Sequence, residues 1–166
     1  MTRINCFISP KNLTDEHLLA EHREIKRLPS CLKKAIKSGS TDKIPKKFVL
    51  GQGHVLFFLD KMLYVKNRYV ELYNECINRG FNVQSYLSNF DDIDDKYMND
   101  YEQNFDAFSL VFRRILDKIL EGKKEFYHYK SKRISKPDAM YLLATPEFML
   151  DSLIESFDYN VAKYNK

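Results

Sequence analysis

The chain has 166 residues, enough for one domain with a buried core, and its 44% hydrophobic and 30% charged fractions are ordinary for a globular protein. Its formal net charge is +4, and its three cysteines are an odd number without a CxxC pair, so neither a disulfide framework nor a zinc site is indicated. No stretch approaches the roughly 18 apolar residues of a membrane-spanning helix and no signal peptide is recognisable, so we expect a cytoplasmic protein with reduced thiols.

The charges are unevenly distributed along the chain. Residues 23–47 and 113–136 are both strongly basic, whereas residues 91–106 between them are acidic. Two basic segments could form a single positive face in the folded domain, as a nucleic-acid-binding protein requires. The alternative is that each run is only the solvated face of a helix.

The first element in chain order is an extended arm followed by a helix. Residues 1–12 are expected to be extended, because Pro10 blocks helix formation there. Thr14 is a favourable N-cap residue, and acidic residues follow it where the positive end of a helix stabilises them. The helix is predicted to run towards Leu28, with Pro29 breaking or kinking it.

This first helix is amphipathic. At about 100° per residue, Leu18, His22 and Ile25 fall on one side and are expected to face the core. The opposite side forms a polar band of His17, Arg23, Glu24 and Arg27. The band puts one carboxylate on a surface with two guanidinium groups.

Two helical segments follow in the middle of the chain. Residues 30–37 are predicted to form a short basic helix that stops at Gly39. A long helix is predicted from His54 to about residue 79, with Gly80 as its cap. At 1.5 Å per residue that helix would be about 40 Å long and would be the central packing element.

The second half of the chain is less regular. Residues 82–98 are irregular and acidic, and a helix is predicted for residues 99–121 with Gly122 as its stop. Residues 123–136 are basic with interleaved aromatics, without alternation long enough to indicate a strand. A last helix is predicted to begin at residues 145–147, where a cap, a proline and an acid follow one another. The pattern predicts an all-α domain of three main helices with an extended N-terminal arm and an additional C-terminal helix.

Four sequence blocks carry a resemblance to a known family. They are TRIN at 2–5, DEHLLAEHREIKR at 15–27, FVLGQGHVLFFLDK at 48–61 and ECINRGFNV at 75–83. In this order and spacing the chain resembles the pyrimidine-dimer DNA glycosylases, the phage-type endonuclease V repair enzymes. The resemblance covers roughly the first half and thins towards Lys130. It implies a helical domain over residues 1–133, with residues 134–166 as an extension that we expect to be one packed helix.

The resemblance also implies a mechanism. Once Met1 is removed, Thr2 presents an α-amine, and a reference pKa of about 7.7–8.0 leaves a sizeable fraction of such amines neutral and nucleophilic at pH 7. In the family this amine attacks C1′ of the 5′ sugar of the dimer and forms an imine, after which β-elimination cuts the strand. Glu24 matches the family's catalytic carboxylate, which stabilises the cationic sugar and assists proton removal.

Further residues match the family's DNA contacts. Arg3, Arg23 and Arg27 would hold phosphates bidentately. The other implied contacts are His17, His54, Lys118, Tyr127, Tyr129 and Lys130. Several of these residues also have an explanation that does not involve DNA. The arginines could form local ion pairs, His17 and Lys118 could simply be exposed to solvent, and His54 could form a hydrogen bond to the first helix.

The sequence therefore predicts a monomeric repair enzyme acting on double-stranded DNA that contains pyrimidine dimers or abasic sites. No metal or organic cofactor is expected, because the amine supplies the covalent chemistry. Two alternatives stay open: the same chemistry on another lesion, as an abasic-site lyase or a different glycosylase, and a non-catalytic helical DNA-binding module.

Overall fold

A computed structural model describes residues 4–51, 53–102 and 104–146 of the chain. The helices are α1 (Asp15–Ile25), α2 (Leu28–Lys37), α3 (Gly53–Phe57), α4 (Met62–Asn78), α5 (Phe105–Glu121) and α6 (Lys136–Ala144). Strands β1 (Phe126–Tyr129) and β2 (Lys132–Ser135) form an antiparallel hairpin, and short 3₁₀ turns lie at Pro10–Asn12, Ser40–Lys43, Leu87–Phe90 and Asp95–Tyr97. Within these ranges, none of the helices combines the length and the apolar character that crossing a membrane requires.

The predicted start of the first helix is confirmed, whereas its end lies three residues before the predicted Leu28. Thr14 caps α1 by accepting a hydrogen bond from the His17 N–H, and α1 ends at Ile25. Pro29 lies in the first turn of α2, where its missing N–H costs nothing, so it begins a new helix. Gly39 then takes a left-handed φ of 64°, directly after the end of α2.

The prediction of one continuous helix from residue 54 to 79 is wrong. The chain leaves α3 after Phe57, passes through tight turns and enters α4 at Met62. Two carbonyls at the break are satisfied from outside the helix, since Lys61 Nζ donates to the Phe57 carbonyl at 3.0 Å and Asn99 Nδ2 donates to the Asp60 carbonyl at 2.7 Å. These partners replace the helical hydrogen bonds that would otherwise favour continuity.

The all-α prediction is also wrong for residues 126–135, because the fold is mainly helical with a two-stranded sheet. Lys130 and Ser131 both adopt positive φ, 49° and 65°, which is the conformation of a two-residue hairpin turn. The Asp15 carboxylate accepts hydrogen bonds from the N–H groups of both turn residues, at 3.1 and 2.8 Å. A residue from α1, more than one hundred positions away, thus stabilises a turn that the local sequence does not favour.

The helix after the hairpin differs from the predicted last helix. Helix α6 starts at a capping box in which Ser135 and Asp138 bond to each other's backbone N–H groups, and it ends at Ala144. Thr145, the predicted N-cap of the last helix, is instead the C-cap of α6. From residue 147 onward the predicted last helix, and with it most of the proposed 134–166 extension, lies outside the described residues. The described part of that extension packs against α5 and the hairpin.

The core forms where α1 packs on α4 and encloses the N-terminal arm. Leu18, His22 and Ile25 are buried, as the helical spacing predicted. The His22 ring stacks on the ring of Tyr69, with centroids 5.5 Å apart. The arm itself is interior, since Ile4 is fully buried and residues 5–6 and 8 are nearly so. The prediction that residues 1–12 are extended is wrong at two places: residues 6–8 form a turn in which Phe7 has a φ of 69°, and Pro10 begins a 3₁₀ turn. Because residues 4–8 belong to no helix or strand, side chains supply hydrogen bonds to their backbone groups.

Candidate active site

A buried carboxylate ties the arm to α1. Glu21 Oε1 accepts the Asn5 N–H at 3.0 Å, and Oε2 accepts Asn5 Nδ2 at 2.8 Å. Arg68 of α4 donates to the same two oxygens at 3.0 and 3.1 Å, so the carboxylate binds the guanidinium bidentately. The side chains of Glu21 and Arg68 are 0% and 4% exposed. Both charges are therefore compensated inside the protein.

The first described residue, Ile4, is held on both sides of its peptide unit. Its N–H donates to His54 Nε2 at 3.0 Å, and its carbonyl accepts Arg114 Nη2 at 3.4 Å. The same Arg114 nitrogen donates to Asn5 Oδ1 at 2.7 Å. His54 was predicted to contact DNA or the first helix; the structure corrects this, because the residue is buried and its ring bonds to the arm.

The protonation state of His54 suits this hydrogen bond. Burial, the largest cause, and the positive charge of Arg114 together lower the pKa of the imidazole to about 4. At neutral pH the ring is therefore uncharged, and an unprotonated Nε2 can accept the Ile4 N–H. Full protonation would turn Nε2 into a donor that faces another donor.

We expect His54 to make the protein less stable in mild acid. Its pKa is about 4 when folded and about 6.5 when unfolded, so between these values the unfolded chain binds a proton that the folded chain does not. The free energy of unfolding should fall as the pH drops through this window, by up to about 3 kcal/mol from this residue. Urea unfolding at about pH 7 and about pH 4.5, for the parent and for His54→Gln, measures this contribution. An identical pH dependence in both proteins would contradict it.

Glu24 lies one turn after Glu21 on α1, on the accessible side of the helix. Its side chain is 24% exposed and its Oε2 lies 3.2 Å from Nη1 of Arg27, which is 62% exposed. Arg23 is exposed on the same helix. The structure thus brings the predicted carboxylate and one predicted arginine together at the surface. Glu24 and Arg27 therefore also form the local ion pair that was the alternative to a DNA-binding role.

His17 connects the polar band to the hairpin. Its Nδ1 lies 2.8 Å from Thr14 Oγ1, and its ring stacks on the Tyr127 ring with centroids 5.6 Å apart. The Tyr127 hydroxyl donates to the Lys118 carbonyl of α5 at 3.2 Å. The half-buried His17 is therefore fixed by protein contacts near the predicted DNA-contact residue Lys118.

The two hairpin tyrosines do not present their rings to solvent, contrary to the prediction that they grip DNA. Tyr127 is 4% exposed and Tyr129 is 3% exposed. The Tyr129 hydroxyl donates to the Lys11 carbonyl at 3.0 Å, and its ring packs under the Arg79 guanidinium with Cζ 4.4 Å from the centroid. These rings attach the hairpin to the domain, while Lys130 at its turn is exposed.

A second buried network, centred on Arg79, holds the hairpin in place. Arg79 Nη1 donates to Asp15 Oδ1 at 2.9 Å, and Nε donates to Glu75 Oε1 at 2.7 Å. It also donates to three backbone carbonyls of residues 10–13. Because Asp15 accepts the N–H groups of the hairpin turn, Arg79 indirectly determines where that turn lies. On the neighbouring turn of α1, Glu16 accepts the His128 N–H at 3.1 Å.

Sequence reasoning missed the buried polar residues of both networks. They are Asn5, Asp15, Glu21, Arg68, Glu75 and Arg79, to which the half-buried Arg114 adds a hydrogen bond to Asn5. One signal was available: Arg68 lies at helical spacing among apolar residues of α4, and Glu21 lies beside Leu18 and Ile25 on α1. A charged residue on the apolar face of a helix must be paired when buried.

A cleft of about 510 Å³ opens beside the arm. Arg113, Arg114 and Lys118 of α5 contribute cations to its lining, and Asp117 and Glu121 contribute acids. Since Arg114 also bonds to Ile4, the cleft borders the start of the described arm. Lys118, which was predicted to contact DNA, therefore lies in the lining of this cleft.

Two of the predicted site residues, Thr2 and Arg3, lie outside the described residues. Across the described ranges, no group of three or more His, Cys, Asp or Glu side chains is arranged to hold a metal ion. Within the described residues, the candidate active site therefore consists of the fixed arm from Ile4 onward, the accessible face of α1, and the cleft lined by the cations of α5.

The first half of the chain, which contains the arm and α1, matches the sequence pattern of a known protein family. The family model of the pyrimidine dimer DNA glycosylases matches residues 1–89, which is more than half of the 166 residues. The match contains the arm, the whole of α1 with Glu21 and Glu24, and α4 with its buried arginines, and it ends before α5 and the hairpin. Family members act on DNA that contains pyrimidine dimers. The chain belongs to the pyrimidine dimer DNA glycosylase family.

Proposed function

We propose that this protein excises cyclobutane pyrimidine dimers from double-stranded DNA and then cuts the strand by β-elimination, through an imine on the Thr2 α-amine. Family membership supports the glycosylase activity and the DNA substrate. The observation that carries the mechanism is the attachment of the arm to α1: Asn5 is bonded to Glu21, one turn from Glu24.

The attachment matters because the length of the backbone limits the distance between Ile4 and the α-amine of Thr2. Two residues of fully extended chain span at most about 7 Å, so an amine two residues before Ile4 cannot lie farther than that from the fixed Ile4 nitrogen. Along α1, the step from Glu21 to Glu24 is about 4.5 Å. An amine and a carboxylate within reach of one deoxyribose are the groups that the proposed chemistry needs.

The proposed reaction has two stages. The neutral amine of Thr2 attacks C1′, and the glycosidic bond breaks with its electrons going to the base. The C1′–O4′ bond then breaks as the nitrogen forms a double bond to C1′, and O4′ takes up the proton that the amine has lost. The sugar ring is thereby opened to a protonated imine. The imine makes the C2′ proton acidic, Glu24 assists its removal, and the bond to the 3′ phosphate breaks. Hydrolysis of the imine then regenerates the amine. The Glu24 carboxylate also stabilises the cationic sugar during the first stage.

Cations around the site supply the affinity for DNA. Exposed Arg23 lies on the same helix as Glu24, exposed Arg27 lies in the turn between α1 and α2, and Lys118 lines the neighbouring cleft. Contacts from such side chains to phosphates are independent of sequence and weaken as the salt concentration rises. Extruding a nucleotide costs a few kcal/mol, and less at a damaged site, which favours binding at lesions.

One observation favours a second candidate, an abasic-site lyase. The buried rings of Tyr127 and Tyr129 are not available to stack on a damaged base, which removes part of the predicted basis for recognising dimers. An abasic site already carries the sugar aldehyde that the amine attacks. It therefore requires the same amine and carboxylate but no recognition of a base.

Borohydride trapping on three duplexes distinguishes these functions. Ultraviolet-irradiated, abasic and intact duplexes are incubated with the protein and sodium borohydride, which reduces an imine to a stable covalent adduct. The proposal predicts adducts with the irradiated and the abasic duplex and none with intact DNA. An adduct with the abasic duplex alone would identify a lyase. Binding without any adduct would contradict the enzymatic proposal and indicate a DNA-binding module.

A further inference from the structure

We propose that the buried pair Glu21–Arg68 is a positioning device for the covalent step, which fixes the arm at the place from which the amine reaches its target. This inference rests on the proposed function and deepens it. Neither residue would touch the substrate: both act through Asn5, to which they are bonded from opposite sides.

Every polar group of Asn5 is held by this network. Its N–H and its amide nitrogen donate to the two oxygens of Glu21. Its carbonyl accepts Arg68 Nη2 at 3.1 Å, and its side-chain oxygen accepts Arg114 Nη2 at 2.7 Å. These directional bonds fix both the position and the rotation of the peptide units at residues 4–5. Apolar burial of Ile4 alone would fix neither.

The pair is better suited to positioning than to stabilisation. Removing two charges from water costs nearly as much as their attraction returns, so a buried ion pair is often no more stable than an apolar pair of similar volume. What the pair of Glu21 and Arg68 adds is a defined geometry, with four hydrogen bonds to one carboxylate. Such precision matters for a covalent step, because a displacement of about 1 Å can lower a rate about 100-fold.

The chain contains a matched control in the pair Glu75–Arg79. Both side chains are similarly buried, at 7% and 0% exposure, and they are joined by a 2.7 Å hydrogen bond within α4. Arg79 of this pair contacts residues 10–13 and Asp15, and among the described residues neither member of the pair is hydrogen-bonded to residues 4–5. A substitution at Glu75 therefore disturbs a buried ion pair while leaving the attachment of Asn5 intact.

The test compares Glu21→Gln with Glu75→Gln in single-turnover borohydride trapping, using abasic duplex at saturating protein. A glutamine at 21 has one acceptor oxygen, and its amide group faces donors from Asn5 and Arg68. We expect its trapping rate to fall about 100-fold, with the affinity for intact duplex unchanged. Glu75→Gln should lose a comparable amount of stability towards urea and keep its trapping rate within about threefold of the parent.

Asn5→Ala provides a milder variant should Glu21→Gln fail to fold, and we expect it to be trapped at least about tenfold more slowly than the parent. Trapping of both Glu21→Gln and Asn5→Ala at the parent rate would overturn the positioning role and leave the proposed function standing. An equal loss of trapping in Glu75→Gln would also overturn it, because general destabilisation would then be sufficient. Absence of trapping by the parent would overturn the proposed function together with this inference.

Discussion

Replacing Glu24 with glutamine is expected to lower the rate of strand cleavage by about 10²–10⁴-fold without changing the fold. The amide cannot accept the C2′ proton and carries no charge to stabilise the cationic sugar. In the structure Glu24 is 24% exposed and its hydrogen-bonded partner is Arg27, which is itself largely exposed. An exposed helical pair of this kind contributes about 0.5 kcal/mol or less, so the stability should change little.

Single-turnover cleavage of an abasic duplex, together with thermal unfolding of the same preparation, measures both parts of this expectation. Asp92→Asn is a suitable control, because Asp92 is also an acidic residue in a surface ion pair: it is 87% exposed and lies 4.0 Å from exposed Lys33. The control should cleave at the parent rate. A Glu24→Gln protein that also cleaves at the parent rate would remove Glu24 from the mechanism.

Replacing Arg79 with methionine is expected to lower the free energy of unfolding by about 3–5 kcal/mol. The guanidinium is fully buried and bonds to Asp15, to Glu75 and to three backbone carbonyls. Methionine leaves two buried carboxylates without their common cation, and that uncompensated charge is the main cost. For a chain of this size the melting temperature should fall by roughly 6–20 °C.

The matched control for this prediction is Lys33→Met, which removes the cation of an exposed pair. Lys33 and Asp92 are 58% and 87% exposed at 4.0 Å, so we expect a change within about 0.5 kcal/mol. Urea unfolding followed by circular dichroism compares the two variants with the parent. A loss below about 1 kcal/mol in Arg79→Met would show that the network around Arg79 is not essential for the fold.

The local signals in the sequence located several helix ends correctly. Thr14 caps α1 as predicted, Pro29 lies in the first turn of a new helix, and Gly122 follows the last residue of α5. These features depend on the conformational preferences of single residues and their immediate neighbours, so the sequence alone contains the necessary information.

The errors in the predicted fold have a different origin, because they concern structures that are stabilised by contacts between residues far apart in the chain. The hairpin turn at residues 130–131 is stabilised by the Asp15 carboxylate from α1. The break between α3 and α4 is completed by Asn99, which bonds to the Asp60 carbonyl from almost forty residues away. The periodicity of apolar residues within a short stretch of sequence cannot detect such partners. It predicts a continuous helix wherever apolar residues continue to recur at helical spacing.

The candidate site could be predicted only in part for the same reason. Helical spacing placed Glu24 and Arg27 on one accessible face, and the structure confirms that they are neighbours there. The role of His54 was wrong because its partner, the Ile4 N–H, belongs to an arm without any periodic pattern. Glu21 and Arg68 were not identified, since each appears in the sequence as one more charged residue on a helix.

The most direct test of the central claim is to identify the atom that carries the trapped sugar. The adduct formed with an abasic duplex is reduced with borohydride, digested with nuclease and protease, and its peptides are sequenced by mass spectrometry. We expect the sugar remnant to be attached to the α-amine of Thr2, in a peptide that has lost Met1. A remnant on a lysine side chain, or a parent protein that retains Met1 and is still trapped, would contradict it.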